Sequence, residues 1–450
     1  MKDKKTFTGY GLNDRPTLGH LVPLSLQHVL LFIAGSLAVP MIIAGSVGMN
    51  DSQTALIVQC MIFVSGIGTM LQAFGLWKIG NRLPTILGPT FTFLTPAIAI
   101  SIVYGYEVFL GAALIGGLVM ALVGTFFVNQ IKKLFPPLVL GCVIMVIGIA
   151  LFGVGIDYIA GGDGAANYGS WQNYLVGGVT MLLVIVFNIF GKGFLKGASV
   201  LVAMVVGTVL ALALGMVDFS SLSGEAWFAL PKPLAFGMQF KLAPILICVI
   251  MYLVNTVEFI GDTTNAALAA ADRMVTPKEL SQGILCDGLT SALAAVFNVS
   301  PTVTYSANIG LLKLTGVKSR FIVGFAGAMI AVLGFIPKLA RLLALIPMPV
   351  IGGASLVTFG IIATSGIQIL MREKLSDRDM LVIAVALAVG IGFNVTSAAL
   401  ERFPYFVSAL LNGIPGTAIT ATVLNLLLPK EKKAAAPACA DAAAPETNDR

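Results

Sequence analysis

Only two histidines occur in 450 residues, and charged side chains make up just 11% of the chain. Metal centres and acid–base catalysis lean on His clusters or spacings such as His-x-x-x-His, which cannot be assembled here, and a nucleophile elbow is also missing. The chain is therefore not expected to be an enzyme, nor to need a metal or a cofactor. Five cysteines (Cys60, Cys142, Cys248, Cys286, Cys439) show no pairing pattern, and the first four lie in apolar runs, where they read as small buried hydrophobes. No cleavable signal peptide is expected, because the first twenty residues are polar and basic and the first apolar run outlasts one. The net charge of +6 comes from basic residues scattered one to three at a time between apolar runs, which argues against nucleic acid as a partner.

What the chain has is apolar length: 57% apolar residues and 49 glycines, the composition of an all-α polytopic membrane protein. The runs divide into fourteen elements, at roughly 21–46, 54–76, 84–103, 107–129, 134–155, 173–190 and 196–216, then 242–271, 282–298, 301–315, 320–337, 345–366, 379–398 and 404–428. Lys2, Lys4, Lys5 and Arg15 place the N-terminus in the cytoplasm, and alternate loops are then basic, from Lys78/Arg82 to the tail Lys430/Lys432/Lys433. Lys232, Lys338/Arg341 and Arg402 are the exceptions on the expected outer side. The loops at 156–172 and 217–240 read as ordered and external, and the Ala/Pro-rich end after Lys433 as a disordered cytoplasmic tail.

Two stretches break the helical pattern. Ser300-Pro301-Thr302-Val303-Thr304-Tyr305 is polar and rich in β-formers, and Gly88-Pro89-Thr90-Phe91-Thr92-Phe93 has the same small-Pro-Thr-apolar-Thr-aromatic order, 212 residues earlier. At an offset of 211, Pro136 falls on Pro347, Gly141 on Gly352 and Gly155 on Gly366, so the chain reads as an internal duplication. Seven elements per copy is an odd number, which requires two inverted repeats, with short antiparallel β-strands and half-length helices in segments 3 and 10. Irregular backbone at membrane depth is tolerated only where protein buries it or a cavity hydrates it, so these stretches mark a binding site.

Few ionisable groups lie deep in the runs. Glu258 sits mid-run, Asp262 follows on the same helix face, and Asn255 and Asn265 extend that polar stripe. A mid-membrane charge is costly unless partnered or hydrated, which makes Glu258 a functional candidate and leaves Asp262 open between function and helix bracing. His28 can be a packing donor or can tune a neighbouring acid. Asp287 suits a helix-bracing role. Phe91 and Tyr305 can be core or can stack on a planar ring. Strand backbone groups, helix N-termini and a carboxylate together suit a small planar solute with alternating donors and acceptors, loaded together with a proton.

Ala307-Asn308-Ile309-Gly310-Leu311-Leu312-Lys313-Leu314-Thr315-Gly316 resembles the signature of the nucleobase–ascorbate transporter (nucleobase:cation symporter-2, xanthine/uracil permease) family, with Asn308, Gly310, Thr315 and Gly316 matching. Glu258-Phe259-Ile260-Gly261-Asp262, Leu26-Gln27-His28 and Asp287-Gly288-Leu289 are similar to further family features, and the likeness spans about residues 16–429. The resemblance implies a cytoplasmic N-terminus (1–20), a core domain (21–129 and 242–337), a gate domain (130–216 and 338–429), an external loop (217–241) and a cytoplasmic tail (430–450). It implies elevator-type alternating access in the plasma (inner) membrane, often as a homodimer. By the same carry-over Glu258, Asn308, Ala307, Phe91, Thr90, Tyr305 and Ser306 form the nucleobase site. Glu258, Asp262 and His28 serve proton coupling, protons being preferred over Na+, and Asp287, Gly310, Thr315 and Gly316 serve conformation. Asp262, where uracil carriers have His, and Leu314-Thr315-Gly316-Val317 resemble the xanthine and urate branch, with uracil as the alternative substrate and anion exchange on the same architecture as a further one. Ala307 departs from the usual Gln, Glu or Pro. It removes a side-chain contact to the substrate, which could favour a bulkier or differently substituted purine or let a water bridge the gap.

Overall fold

The structure is a computed structural model that describes residues 10–429 other than 163, 193, 223 and 373. The expectations for Lys2, Lys4 and Lys5 and for the tail from Lys430 fall outside these residues.

Helices α1 (Leu18–Ser36) and α2 (Ala38–Ser46) form one apolar run parted at Leu37. Pro40 accounts for the break, since it has no N–H for the Ser36 carbonyl and its ring crowds that carbonyl. Helix α3 (Asp51–Phe74) opens on a reciprocal cap between Asn50 and Gln53. Strand β1 (Leu87–Pro89), a 3-10 turn at Phe91–Phe93 and the half-length α4 (Leu94–Tyr104) follow. Helix α5 (Tyr106–Leu134) kinks at Phe127; α6 (Pro137–Ala150), α7 (Phe152–Ile159), α8 (Trp171–Phe190), the short α9 (Phe194–Gly197) and α10 (Ser199–Ala213) complete the first half.

The second half runs through α11 (Leu242–Ala271), α12 (Pro277–Val296), β2 (Thr302–Thr304) and the half-length α13 (Ser306–Thr315). Then come α14 (Arg320–Leu333), α15 (Pro337–Ala344), α16 (Met348–Met371), α17 (Asp377–Val395), α18 (Tyr405–Leu411) and α19 (Gly413–Leu427). Eight helical stretches among the described residues are long and apolar enough to cross a bilayer, or nine with the bent pair α14 and α15, so the chain is a multi-pass membrane protein.

The two interrupted stretches meet. β1 pairs antiparallel with β2 in the register Leu87–Thr304, Gly88–Val303, Pro89–Thr302. The ladder is extended by Tyr305 N–H to the Ile86 carbonyl (2.8 Å) and Thr90 N–H to the Pro301 carbonyl (3.0 Å). Pairing each strand with its sequence-related copy satisfies backbone groups that hydrocarbon would leave stranded.

Glycines set the closest helix contacts. A Cβ at Gly66 of α3 would fall 2.7 Å from the Gly327 carbonyl of α14, and one at Gly288 of α12 would fall 2.8 Å from the Gly117 carbonyl of α5. Only hydrogen fits there, and backbones approach as they do in small-residue membrane interfaces. A third such contact joins Gly366 of α16 to Gly141 of α6. Helices α1, α3, α5, α11, α12 and α14 thus pack around the strand pair, while α6, α8, α10, α16, α17 and α19 pack on one another.

Two further expected runs are not continuous, and one expected loop is helical. Residues 404–428 divide at Asn412, where Gly413 adopts φ +60°. The run at 134–155 divides at Leu151 and continues helically to Ile159, so the first part of the expected loop 156–172 is helix. Lys338 and Arg341 lie on α15, which turns 89° from α14, rather than in an open loop. Arg341 is buried on α3 and its guanidinium donates to Asp51 at 2.8 Å, which explains a cation where charge counting expects few.

Candidate functional site

Glu258 lies near the middle of α11, surrounded by apolar helix, and faces the 3-10 turn that follows β1. Thr92 Oγ1 donates a hydrogen bond to Glu258 Oε2 at 2.7 Å. Thr90 is buried, and its hydroxyl accepts the Thr92 N–H at 3.1 Å, closing the turn that presents Thr92 to the carboxylate. Glu258 is only half-buried, unlike the fully buried Asp287. The 3-10 turn and α13 both begin at the strand pair, and the N–H groups of a first helical turn have no intrahelical acceptor. A negative or hydrogen-bond-accepting group is favoured at such an N-terminus. Phe91, half-exposed on the same turn, stands edge-on to Phe359 of α16 with ring centroids 5.4 Å apart at 87°.

On the opposite strand, the Tyr305 ring is wedged between backbones. A Cβ at Gly35 of α1 would fall 2.5 Å from it, one at Gly88 of β1 would fall 3.0 Å away, and Phe32 meets the ring edge at 6.5 Å. Tyr305 therefore holds α1 against the strand pair. Asn308, 1% exposed, uses both ends of its amide within the protein: Nδ2 donates to the Pro84 carbonyl at 3.0 Å and Oδ1 faces His28 Nδ1. Since Oδ1 can only accept, the His28 proton on this bond sits on Nδ1. His28 and Asn308 thereby tie α1 to α13. The side chains of Ser306 and Ala307 lie outside those described; their backbone forms the first turn of α13.

Asp262 is one turn beyond Glu258 on α11 and is buried. Asp287, fully buried on α12, lies against β2, where it receives Asn255 Nδ2 at 3.3 Å and Thr302 Oγ1 at 3.4 Å. Gly310 has open space around it on α13. Thr315 and Gly316 end that helix: the Thr315 hydroxyl donates to the Leu311 carbonyl at 2.8 Å, and Gly316 takes φ +67°, a left-handed C-cap that favours glycine.

The structure thus gathers Glu258, Thr90 and Phe91 at the 3-10 turn, joins His28 to Asn308 across α1 and α13, and places Asp287 against β2. Two residues were not singled out as site candidates from sequence. Thr92 was discoverable, as the second Thr of the repeated motif; Phe359 carries no signal of its own, because it reaches Phe91 from α16, far away in the chain.

The sequence model of a Permease family, Xan_ur_permease, matches residues 19–398. The uric acid permease PucJ of Bacillus subtilis is 36% identical over 411 residues, covering 90% of this chain and 91% of that protein. The nucleobase transporter PlUacP of Paenibacillus larvae is 35% identical over 416 residues (92% of this chain, 95% of that one). The xanthine permease XanP of Escherichia coli is 33% identical over 440 residues (94% and 95%). Among solved structures, the transmembrane domain of a cyanobacterial bicarbonate transporter, BicA, superposes with a TM-score of 0.60 at 15% identity, covering 88% of this chain and 99% of that one. The murine anion transporter Slc26a9 does so at 0.62 and 11% identity, covering 92% of this chain and 69% of that one. At such identities the likeness is one of fold.

Proposed function

This chain belongs to the xanthine/uracil permease family of membrane nucleobase transporters, and from that premise we propose that it is a proton-coupled symporter importing an oxidised purine, xanthine or urate, by elevator-type alternating access. One observation carries the reading: the half-buried Glu258 carboxylate, held by Thr92, faces a turn whose N–H groups and half-exposed Phe91 ring suit a flat heterocycle. An oxidised purine offers ring N–H donors to Glu258 and carbonyl oxygens to the helix N-termini. Thr90, Ser306 and Ala307 supply the walls and backbone, while Tyr305 and Asn308 hold the second strand and α13 in place. Protonation of Glu258 would neutralise the site for the return step, with Asp262, one turn along α11, and His28, on α1, also serving the coupling.

The architecture we assign is fourteen spans in two inverted repeats, counting the strand–half-helix units as spans. The glycine contacts support it: inverting the repeats exchanges the α3–α14 contact with the α12–α5 contact. The helices around the strand pair form the core domain, and those packed on α6 and α16 form the gate. Both termini are cytoplasmic, the bilayer is the plasma membrane, and the protein is a homodimer. Asp287, Gly310, Thr315 and Gly316 serve the conformation of the core.

Cells expressing the protein should accumulate radiolabelled xanthine or urate above vector controls, and a protonophore should abolish the accumulation. If no nucleobase among xanthine, urate, guanine, hypoxanthine and uracil accumulates, the substrate assignment is wrong.

A further inference from the structure

Where the approach to α1, the loop after α3 and the start of α14 meet, three arginines gather far from the Glu258 site. Arg15 and Arg320 share one ring: their guanidinium carbons stand 5.0 and 4.6 Å from the centre of Phe321. Arg320 and Arg82 share one peptide unit. Arg320 Nη1 donates to the Phe74 carbonyl at 3.2 Å, and a Cβ at the next residue, Gly75, would fall 2.6 Å from Arg82 Nε. Arg320 is thus close enough to both partners to be repelled by them.

None of the ion pairs among the described residues includes any of the three. Asp14, the carboxylate beside Arg15 in sequence, accepts the Gly11 N–H at 2.8 Å. Arg320 also donates to Asn13 Oδ1 at 2.8 Å and to the Ala73 carbonyl at 3.1 Å. A helix C-terminus such as that of α3 carries only about half a negative charge. A surplus of positive charge remains, and Arg15 and Arg82 present it at the surface.

The flanks of this cluster are apolar. Leu18, Val22 and Leu26, spaced by four on α1, form one exposed stripe that begins three residues after Arg15. On the other flank, a tight turn is closed by reciprocal backbone bonds between Leu76 and Ile79, each 2.8 Å. It leaves Leu76 exposed and Trp77 80% exposed, with Trp77 at φ +52°. A bulky side chain rarely adopts that backbone, and Trp favours the headgroup layer of a bilayer. A positive centre between hydrocarbon-facing flanks fits an amphiphile better than a free anion.

We propose that Arg15, Arg82 and Arg320 bind the phosphate headgroup of an anionic phospholipid, whose acyl chains lie along Leu18, Val22 and Leu26. Guanidinium groups suit this role because they stay charged and can grip phosphate oxygens in pairs. A zwitterionic lipid would bring its own cation into the cluster, so a net negative headgroup is selected. In the topology assigned above the site faces the cytoplasmic leaflet, whose anionic lipids attract basic clusters. The bound lipid would tie the segment before α1 to the ends of α3 and α14.

The test is thermal unfolding of the purified full chain in neutral detergent, without nucleobase, with phosphatidylglycerol, phosphatidylcholine or inorganic phosphate added. Phosphatidylglycerol should raise the Tm by about 2–4 °C near saturation, and the other two at equal concentration should not. Arg15→Gln and Arg82→Gln, both at the surface, should each move the phosphatidylglycerol midpoint to about tenfold higher concentration. Arg372→Gln, at an exposed arginine after α16, should keep the wild-type midpoint. An equal rise with inorganic phosphate would mean a site for a free anion, and an equal rise with phosphatidylcholine a generic lipid effect. A midpoint moved equally by Arg372→Gln would mean diffuse surface charge. Any of these results, no rise with phosphatidylglycerol, or midpoints unchanged in both Arg15→Gln and Arg82→Gln would overturn the assignment. Because no nucleobase is present, failure of the substrate reading leaves this measurement intact.

Discussion

At the scale of single residues, the account puts most weight on the Glu258 carboxylate. Replacing it by Gln keeps size and some hydrogen bonding but removes the ionisable group, so Glu258→Gln should reach the membrane in normal amount and lose concentrative uptake. Thr92→Val deletes one bond to a charged acceptor and should raise the KM about tenfold or more with normal expression, checked by initial-rate uptake. Asp262→Asn should be milder than either. Ala307→Gln restores a polar side chain at the head of α13 and should change the order of preference among purines in competition assays; an unchanged order would mean that position 307 does not meet the ligand. Glu258 was legible in sequence because a carboxylate deep in an apolar run is rare. The wedge made by Tyr305 was not, because it depends on Gly35 and Gly88 coming together in space.

At the scale of elements, the paired strands and the glycine contacts do the holding. A valine at Gly288 would put carbon within 2.8 Å of the α5 backbone, so Gly288→Val should force α12 and α5 apart. The expected cost is about 1–3 kcal/mol, read as a lower Tm of the purified protein; an unchanged Tm would show that the pair has slack. The strands could be read from sequence because proline and threonine repeat at membrane depth where leucine is normal. The inverted duplication also implied that they run antiparallel; their register, with Leu87 opposite Thr304, could not be read, because strands this short carry no pattern that fixes it. The breaks at Leu37, Leu151 and Asn412 and the turn into α15 also escaped an apolar count, because hydropathy registers length and not direction.

At the scale of the whole molecule, the helices around the strand pair touch the rest mainly at a few places, among them the Phe91–Phe359 ring contact and the flank of α1 against α10. Transport by relative movement would have to break and remake that ring contact. If protons drive the cycle, xanthine or urate uptake should quicken as external pH falls from about pH 8 to about pH 6, since protons then load Glu258 from outside; a flat profile would argue for another coupling ion.

The most direct test of the Glu258 site is a thermal-shift screen of the purified protein against a nucleobase panel, run beside Glu258→Gln. The account predicts that xanthine or urate raises the Tm of the wild-type protein and leaves the variant unmoved. Equal shifts in both proteins, or none for any nucleobase, would contradict it.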